Sequence, residues 1–75
     1  MIAKSPTGEY VLRHHNDNDA VEGETVTSYR HKRYVLKGGT PPHNENSAGR
    51  VSLVDDEGFE HEYFPGVVSM KWIKL

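Results

Sequence analysis

The stretch that decides the fold is Arg50–Leu75, RVSLVDDEGFEHEYFPGVVSMKWIKL, where apolar residues fall on alternate positions almost throughout. Alternation of this kind is typical of β-strands, because successive side chains of an extended chain point to opposite faces. A polar segment that ends in glycine, Asp55–Gly58, interrupts the pattern. The stretch therefore predicts two antiparallel strands joined by a tight turn, followed by a further strand.

The register of this hairpin follows from burial of one face. If Asp56–Gly58 is a three-residue loop with Gly58 in the left-handed region, the pairs across the hairpin are Asp55 with Phe59, Leu53 with His61, and Val51 with Tyr63. One face then carries the apolar set, and the other is half-solvated and receives Ser52, Val54, Glu60 and Glu62. A slip of one residue would set apolar side chains against glutamates, so burial favours the first register.

Three further segments favour extended structure. Gly8–His15 alternates weakly and predicts a first strand, and the polar segment Asn16–Glu24 predicts an exposed acidic loop after it. Thr25–Lys37 is rich in β-branched and aromatic residues, but its alternation is imperfect. Either one strand carries a bulge or a turn near Arg30–Arg33 splits two short strands; we favour the bulged strand. Val67–Leu75 predicts a last strand, with a largely buried Trp72.

Between these segments, residues 38–49 are almost devoid of core side chains and predict a long mobile loop. The sequence shows neither sustained helical spacing nor a repeat. We therefore expect one all-β domain over residues 1–75, either a small SH3-like barrel or a strongly bent antiparallel sheet of four to five strands.

The order of elements resembles that of SH3-like barrels: an acidic loop after the first strand, a tight hairpin near the C-terminal end, then Phe64–Val68 leading into a final strand. The resemblance covers about two-thirds of the chain. It implies that Phe64–Val68 forms the proline-containing single helical turn of that fold. The aromatic-rich first strand, the paired tryptophans before the distal hairpin and the tyrosine after the proline of peptide-binding SH3 domains have no counterpart here. The resemblance implies the fold, and not proline-rich peptide binding.

Composition narrows the class of protein. Nine Lys+Arg against eleven Asp+Glu give a net charge of -2, which offers no global attraction for nucleic acid or an anionic membrane. The chain has no cysteine, signal-peptide core or membrane-length apolar run, so we expect a soluble, cytoplasmic protein without membrane contact. From the small size and the start at Met1 we expect an accessory protein of the kind that phages and mobile elements encode.

No motif indicates catalysis, a metal or a cofactor. The chain has five histidines, but His14 and His15 are adjacent and point to opposite faces of a strand, and no His-Glu-x-x-His arrangement occurs. His61 is expected to be a hydrogen-bonded residue at the edge of the core. Nucleophile motifs and glycine-rich phosphate loops are absent as well. We expect a protein that is not an enzyme, with no catalytic or metal-binding residues and no cofactor.

One local feature departs from the background. Arg30, Lys32 and Arg33 pack three permanent charges into four residues, flanked by Tyr29 and Tyr34. We predict that these five residues bind a partner. Cations beside aromatic rings are also what single-stranded nucleic acid requires, whereas the simplest interpretation is a solvated strand whose charges discourage edge pairing.

These observations predict a protein–protein interaction module. The alternative is RNA or single-stranded DNA binding through Arg30–Arg33. A further alternative is a structural subunit that self-associates into a homo-oligomer, because a domain this small gains core by pairing.

Overall fold

The computed structural model of the chain describes residues 2–5, 7–43 and 47–75. Its elements, in order, are β1 (Tyr10–His14), β2 (Thr25–Thr27), β3 (Arg33–Thr40), β4 (Arg50–Val54), β5 (Glu60–Tyr63), a 3-10 helix (Pro65–Val68) and β6 (Met70–Lys74). No α-helix occurs within these described ranges, and the all-β class is confirmed. In this part of the chain no helix has the length and apolar character needed to cross a membrane.

The strands form two antiparallel sheets. β1 pairs with β6, and β2, β3, β4 and β5 form a four-stranded sheet in chain order. The sheets are not closed into a barrel, so of the two predicted architectures the structure corresponds to the small bent sheet. The described part of the chain has six strands where four to five were expected, because the second predicted strand is split in two.

The hairpin of β4 and β5 has the predicted register. Val51 faces Tyr63 and Leu53 faces His61. Gly58 has a φ of 86°, in the left-handed region, as the three-residue loop requires. Phe59 differs from the prediction, because its side chain is 63% exposed. The buried residues of β4 end at Leu53, so the turn extends beyond the core and leaves this ring in solvent.

The second predicted strand is two strands rather than the single bulged strand favoured from the sequence. Val26 in β2 pairs with Tyr34 in β3, and the chain reverses direction between them. Val26, Tyr34 and Leu36 share a parity and are buried, whereas Val35 is 42% exposed. The imperfect alternation therefore marked a turn. A bulge does occur in β3, but it lies between Leu36 and Gly38, opposite β4.

β3 runs to Thr40, so the long loop predicted from the sequence begins three residues later than expected. Gly39 in this strand lies so close to β4 that an added Cβ would overlap the carbonyl oxygen of Arg50. Glycine permits this approach of two backbones, but it offers no apolar side chain from which a strand can be recognised. The part of the predicted loop at 44–46 lies outside the described residues.

The acidic segment between β1 and β2 is not wholly exposed. Ala20 within it is fully buried and is held on both sides by backbone hydrogen bonds. Its amide donates to the carbonyl oxygen of Leu12, and its own carbonyl oxygen accepts from the amide of Ala3, both at 2.9 Å. Arg13 pairs with Asp19 at 2.9 Å beside it. One small apolar residue therefore fixes a loop whose composition indicated full exposure.

The core lies between the two sheets. Its largest fully buried side chains are Leu12, Leu36, Leu53, Met70 and Val51. Trp72, expected to be largely buried, is only partly buried at the margin of this core. Its indole N–H donates to the carbonyl oxygen of Arg50 at 3.2 Å, which satisfies the one polar group of the ring.

Candidate protein-interaction cleft

The turn between β2 and β3 is shaped by Ser28. Its amide donates to the carbonyl oxygen of Lys32 at 2.9 Å and closes the turn. Its hydroxyl oxygen accepts from the amides of Arg30 and Lys32, both at 3.3 Å. Ser28 is buried, so these bonds satisfy the hydroxyl oxygen inside the protein. The turn that carries the basic residues therefore has a defined conformation.

A second element holds this turn from the side. The amide of Tyr29 donates to the carbonyl oxygen of Val67, in the 3-10 helix, at 3.0 Å. The helix begins at Pro65, whose fixed φ suits the first position of a helix. This helix is the proline-containing turn that the resemblance to SH3-like barrels implied. Its hydrogen bond with Tyr29 connects the β2–β3 turn to the segment that follows β5.

Two tyrosines form the wall below the turn. The rings of Tyr34 and Tyr63 meet edge to face, with centroids 5.6 Å apart, and their hydroxyl oxygens are 3.4 Å apart. This hydrogen bond and the burial of Tyr34 raise the pKa of Tyr34 to about 12. Tyr34 therefore presents a neutral phenol group at all physiological pH values.

His61 supports this wall from behind. Its ring stacks on Tyr63 with centroids 5.8 Å apart, and its Nε2 lies 2.8 Å from Oδ2 of Asp55. The other oxygen of Asp55 accepts hydrogen bonds from the amides of Glu57 and Phe59. The His61 hydrogen bond, followed by that of the Phe59 amide, holds the pKa of Asp55 below its usual value. His61 is thus the hydrogen-bonded residue at the core edge that the sequence predicted.

These elements enclose a cleft of about 410 Å³, which we call the tyrosine cleft. Four of the five residues predicted to bind a partner line it, Tyr29, Arg30, Lys32 and Tyr34. The remaining lining residues are Ser28, Tyr63 and Val67. The cleft has the volume range of sites that bind small ligands or a few side chains of a partner.

Arg33, the fifth predicted residue, lies elsewhere. It precedes Tyr34 in β3, so its side chain points to the opposite face of the sheet. There it lines a separate, smaller depression with Asp55 and Asp56 of the β4–β5 turn. The basic patch that is continuous in the sequence is therefore divided between two faces of the sheet.

The two cations of the tyrosine cleft lie over aromatic rings. The guanidinium carbon of Arg30 is 5.5 Å from the ring centroid of Tyr29, and Nζ of Lys32 is 5.6 Å from that of Tyr34. Among the described residues, neither cation forms an ion pair. The rings position the charges without neutralising them, so the cleft can bind anionic groups next to an apolar or aromatic one.

Tyr63 and Val67 were not predicted as site residues. The sequence placed Tyr63 on the apolar face of its hairpin and Val67 at the start of the last strand. A usable signal existed for Tyr63, because an amphipathic ring at the last position of a strand is suited to the edge of a core. For Val67 no local signal existed, since its contact with the β2–β3 turn depends on a backbone hydrogen bond between distant segments.

The histidines do not assemble into a group. His14 Nε2 lies 2.6 Å from Oε1 of Glu24, and His61 contacts Asp55 on another part of the fold. Within residues 2–5, 7–43 and 47–75, no three His, Asp or Glu side chains lie together in a way that would hold a metal ion. His14 and His61 thus each form a hydrogen bond with one carboxylate, in separate parts of the fold.

Comparison with models of protein families, with curated proteins and with solved structures found no match to this chain.

Proposed function

We propose that the protein is a non-enzymatic interaction module that binds an acidic segment of a protein partner in the tyrosine cleft. The observation that carries this proposal is the combination of two cations, which form no ion pair with any residue that the structure describes, with three tyrosines in one cleft of about 410 Å³. Tyrosine and arginine are the residue types that contribute most often to the binding energy of protein interfaces. The cations would pair with carboxylates of the segment, and the rings would cover an apolar side chain beside them.

A specific arrangement favours a protein partner over single-stranded nucleic acid. Base stacking requires exposed ring faces, and Tyr29 is 67% exposed, whereas Tyr34 is 6% exposed and meets Tyr63 edge to face. The cleft therefore offers a single-stranded nucleic acid only one exposed ring for base stacking and two cations for phosphate contacts. The net charge of -2 adds repulsion from the rest of the surface.

The test is selection of binding peptides from a random displayed library, with the wild-type protein as bait. We expect enrichment of peptides that carry acidic residues next to an aromatic or large apolar residue. The double variant Arg30→Ala, Lys32→Ala should lose these peptides, and binding should weaken as salt is raised. Arg33→Ala is the matched control, because it removes the same charge from the same segment but from outside the cleft, and it should retain them. If the selected peptides bind the double variant and Arg33→Ala as well as they bind the wild type, the proposal is contradicted.

A parallel titration with mixed-sequence single-stranded RNA and DNA addresses the alternative. If the cleft binds nucleic acid, two phosphate contacts on a single strand give a log-log salt slope of about -1.4, and the same double variant abolishes binding. We expect no saturable, salt-dependent binding at micromolar protein. Saturable binding that depends on Arg30 and Lys32 would contradict the proposal of a protein partner and favour nucleic-acid binding.

The cytoplasmic setting and the accessory role in a phage or mobile element remain predictions from the sequence within this proposal. The same holds for kinship with SH3-like barrels, which is supported by the position of the 3-10 helix between β5 and β6.

A further inference from the structure

The turn between β4 and β5, residues 55–59, has the composition that the tyrosine cleft is suited to bind; we call it the acidic turn. Phe59 at its end is 63% exposed. Asp56 and Glu57 are exposed as well, and within the described part of the chain neither forms an ion pair. Aromatic residues are enriched at protein interfaces, so an exposed ring beside carboxylates is chemically suited to contact a partner that offers cations and an aromatic wall.

The acidic turn is held in a fixed shape. The amide of Asp55 donates to the carbonyl oxygen of Phe59 at 3.0 Å, and the amide of Gly58 donates to the carbonyl oxygen of Asp55 at 3.1 Å. The carboxylate of Asp55 also binds His61 and is occupied by the chain itself. A turn fixed in this way presents Phe59 and its neighbouring carboxylates with little backbone entropy left to lose on binding.

The acidic turn and the tyrosine cleft of one chain lie side by side. Asp55 of the turn contacts His61, and His61 stacks on Tyr63, which lines the cleft. A two-fold axis passing near this junction would bring each turn to the cleft of the other copy. Such an arrangement is isologous, so every contact is made twice and the assembly closes as a dimer.

We infer that the acidic turn of a second copy of this chain occupies the tyrosine cleft. In this dimer, Phe59 of each copy covers the cleft of the other, and Asp56 and Glu57 pair with Arg30 and Lys32. The charges are complementary, and among residues 2–5, 7–43 and 47–75 none of the four forms an ion pair within one chain, which favours a second copy as the occupant. The inference rests on the proposed function, since it assigns a partner to the same cleft.

The first experiment is sedimentation equilibrium of the wild-type chain from about 10 µM to about 1 mM, a range that reports Kd values of weak dimers. We expect a monomer–dimer equilibrium that shifts towards monomer at high salt. Phe59→Ala should raise Kd by about tenfold or more, since hot-spot truncations of aromatic residues commonly reach that size. Leu75→Ala, which truncates a 65% exposed residue at the C-terminus, is the control and should leave Kd unchanged.

The decisive experiment is a charge exchange between two double variants. The pair Arg30→Glu, Lys32→Glu makes the cleft anionic, and the pair Asp56→Lys, Glu57→Lys makes the turn cationic. Each variant alone should be monomeric, because both of its contacts become repulsive. An equimolar mixture should form a heterodimer, because both contacts are then attractive.

A control separates this effect from net charge. Lys4→Glu, Lys74→Glu reverses two exposed lysines of another face and changes the net charge by the same amount as the cleft variant. It should dimerise as the wild type does. Amide chemical-shift changes on dilution of the wild type should be confined to the β2–β3 turn, the acidic turn and the 3-10 helix.

Three results would overturn the inference: a wild-type chain that is monomeric at about 1 mM, a dimer that neither charge variant affects, or variants that fail to associate when mixed. The proposed function fails separately. A monomeric wild type that still selects peptides dependent on Arg30 and Lys32 refutes only the second copy, whereas a chain that neither dimerises nor selects peptides refutes the cleft as a binding site.

Discussion

Three glycines of this chain allow backbone strain and steric overlap to be measured separately. Gly66 in the 3-10 helix has an ordinary φ, and an added Cβ would meet no atom within 4 Å. Gly58 has equally open surroundings but a φ of 86°. Gly49 has a φ of 74°, and a Cβ there would lie 2.6 Å from the carbonyl oxygen of Thr40 and 2.7 Å from Cδ1 of Trp72. Substitution by alanine therefore adds neither strain nor overlap at Gly66, backbone strain alone at Gly58, and both strain and overlap at Gly49.

The magnitudes follow from these geometries. Gly66→Ala should change the free energy of unfolding by less than about 0.5 kcal/mol, as surface substitutions do. Gly58→Ala places a Cβ in the left-handed region, which costs about 1–2 kcal/mol. Gly49→Ala adds overpacking against a backbone oxygen to the same strain, and overpacking alone costs about 1–3 kcal/mol, so the total is about 2–5 kcal/mol. A loss of that size is a large part of the stability of a domain this small.

The assay is urea unfolding followed by far-ultraviolet circular dichroism, with thermal melts in parallel. For a chain of this length, each kcal/mol lost should lower Tm by roughly 4–8 °C. We expect the order Gly66→Ala, Gly58→Ala, Gly49→Ala in increasing loss, at an unchanged urea m-value. Gly58→Asn should recover part of the Gly58→Ala loss, because asparagine tolerates the left-handed region better than alanine.

Equal losses for Gly58→Ala and Gly49→Ala would refute the close approach of Gly49 to Thr40 and Trp72. An unchanged Tm for Gly58→Ala would refute the three-residue turn and, with it, the register of the β4–β5 hairpin.

Three further predictions concern side chains. Trp72→Ala should cost about 2–3 kcal/mol, below the range for fully buried tryptophan, because the ring is only partly buried; urea unfolding measures it. The lowered pKa of Asp55 stabilises the fold fully above the usual carboxyl pKa, and this stabilisation is lost as pH falls through the lowered folded value; Asp55→Asn should flatten that acid limb of stability against pH. Tyr34, with a pKa of about 12, should ionise at a higher pH than a free tyrosine in an ultraviolet alkaline titration, and Tyr63→Phe should lower that pKa.

Each of these three has a contrary outcome. A Trp72→Ala loss within the fully buried range would place the ring deeper than the structure has it. Asp56→Asn is the control for Asp55, and a flattening of the acid limb by both would attribute it to general charge repulsion. An unchanged pKa of Tyr34 in Tyr63→Phe would refute the hydrogen bond with Tyr63 as the main cause of its rise.

The hairpin of β4 and β5 was predictable from the sequence down to its register. Alternation set Val51 and Leu53 on one face, and the position of Gly58 fixed the loop length. Both signals are local, because they depend only on the two-residue period of a strand and on the conformational freedom of one residue. Four of the five predicted site residues could likewise be found, because charges and rings close in sequence share a turn.

The sequence could not show which loop residues become buried through backbone hydrogen bonds to other segments of the chain. The burial of Ala20 depends on backbone hydrogen bonds to Ala3 and Leu12. A loop composition carries no record of such partners.

The tyrosine cleft was decided by tertiary structure alone. Tyr63 and Val67 reach it from segments about thirty residues beyond the β2–β3 turn, brought there by the order of strands in the sheet and by one backbone hydrogen bond. Arg33 does not line the cleft, because adjacent residues of a β-strand point to opposite faces of the sheet. The sequence by itself determined which chemical groups were available near the turn; the pairing of distant strands determined which of them share a cleft, because long-range backbone pairing is set by the burial of the whole core rather than by any one segment.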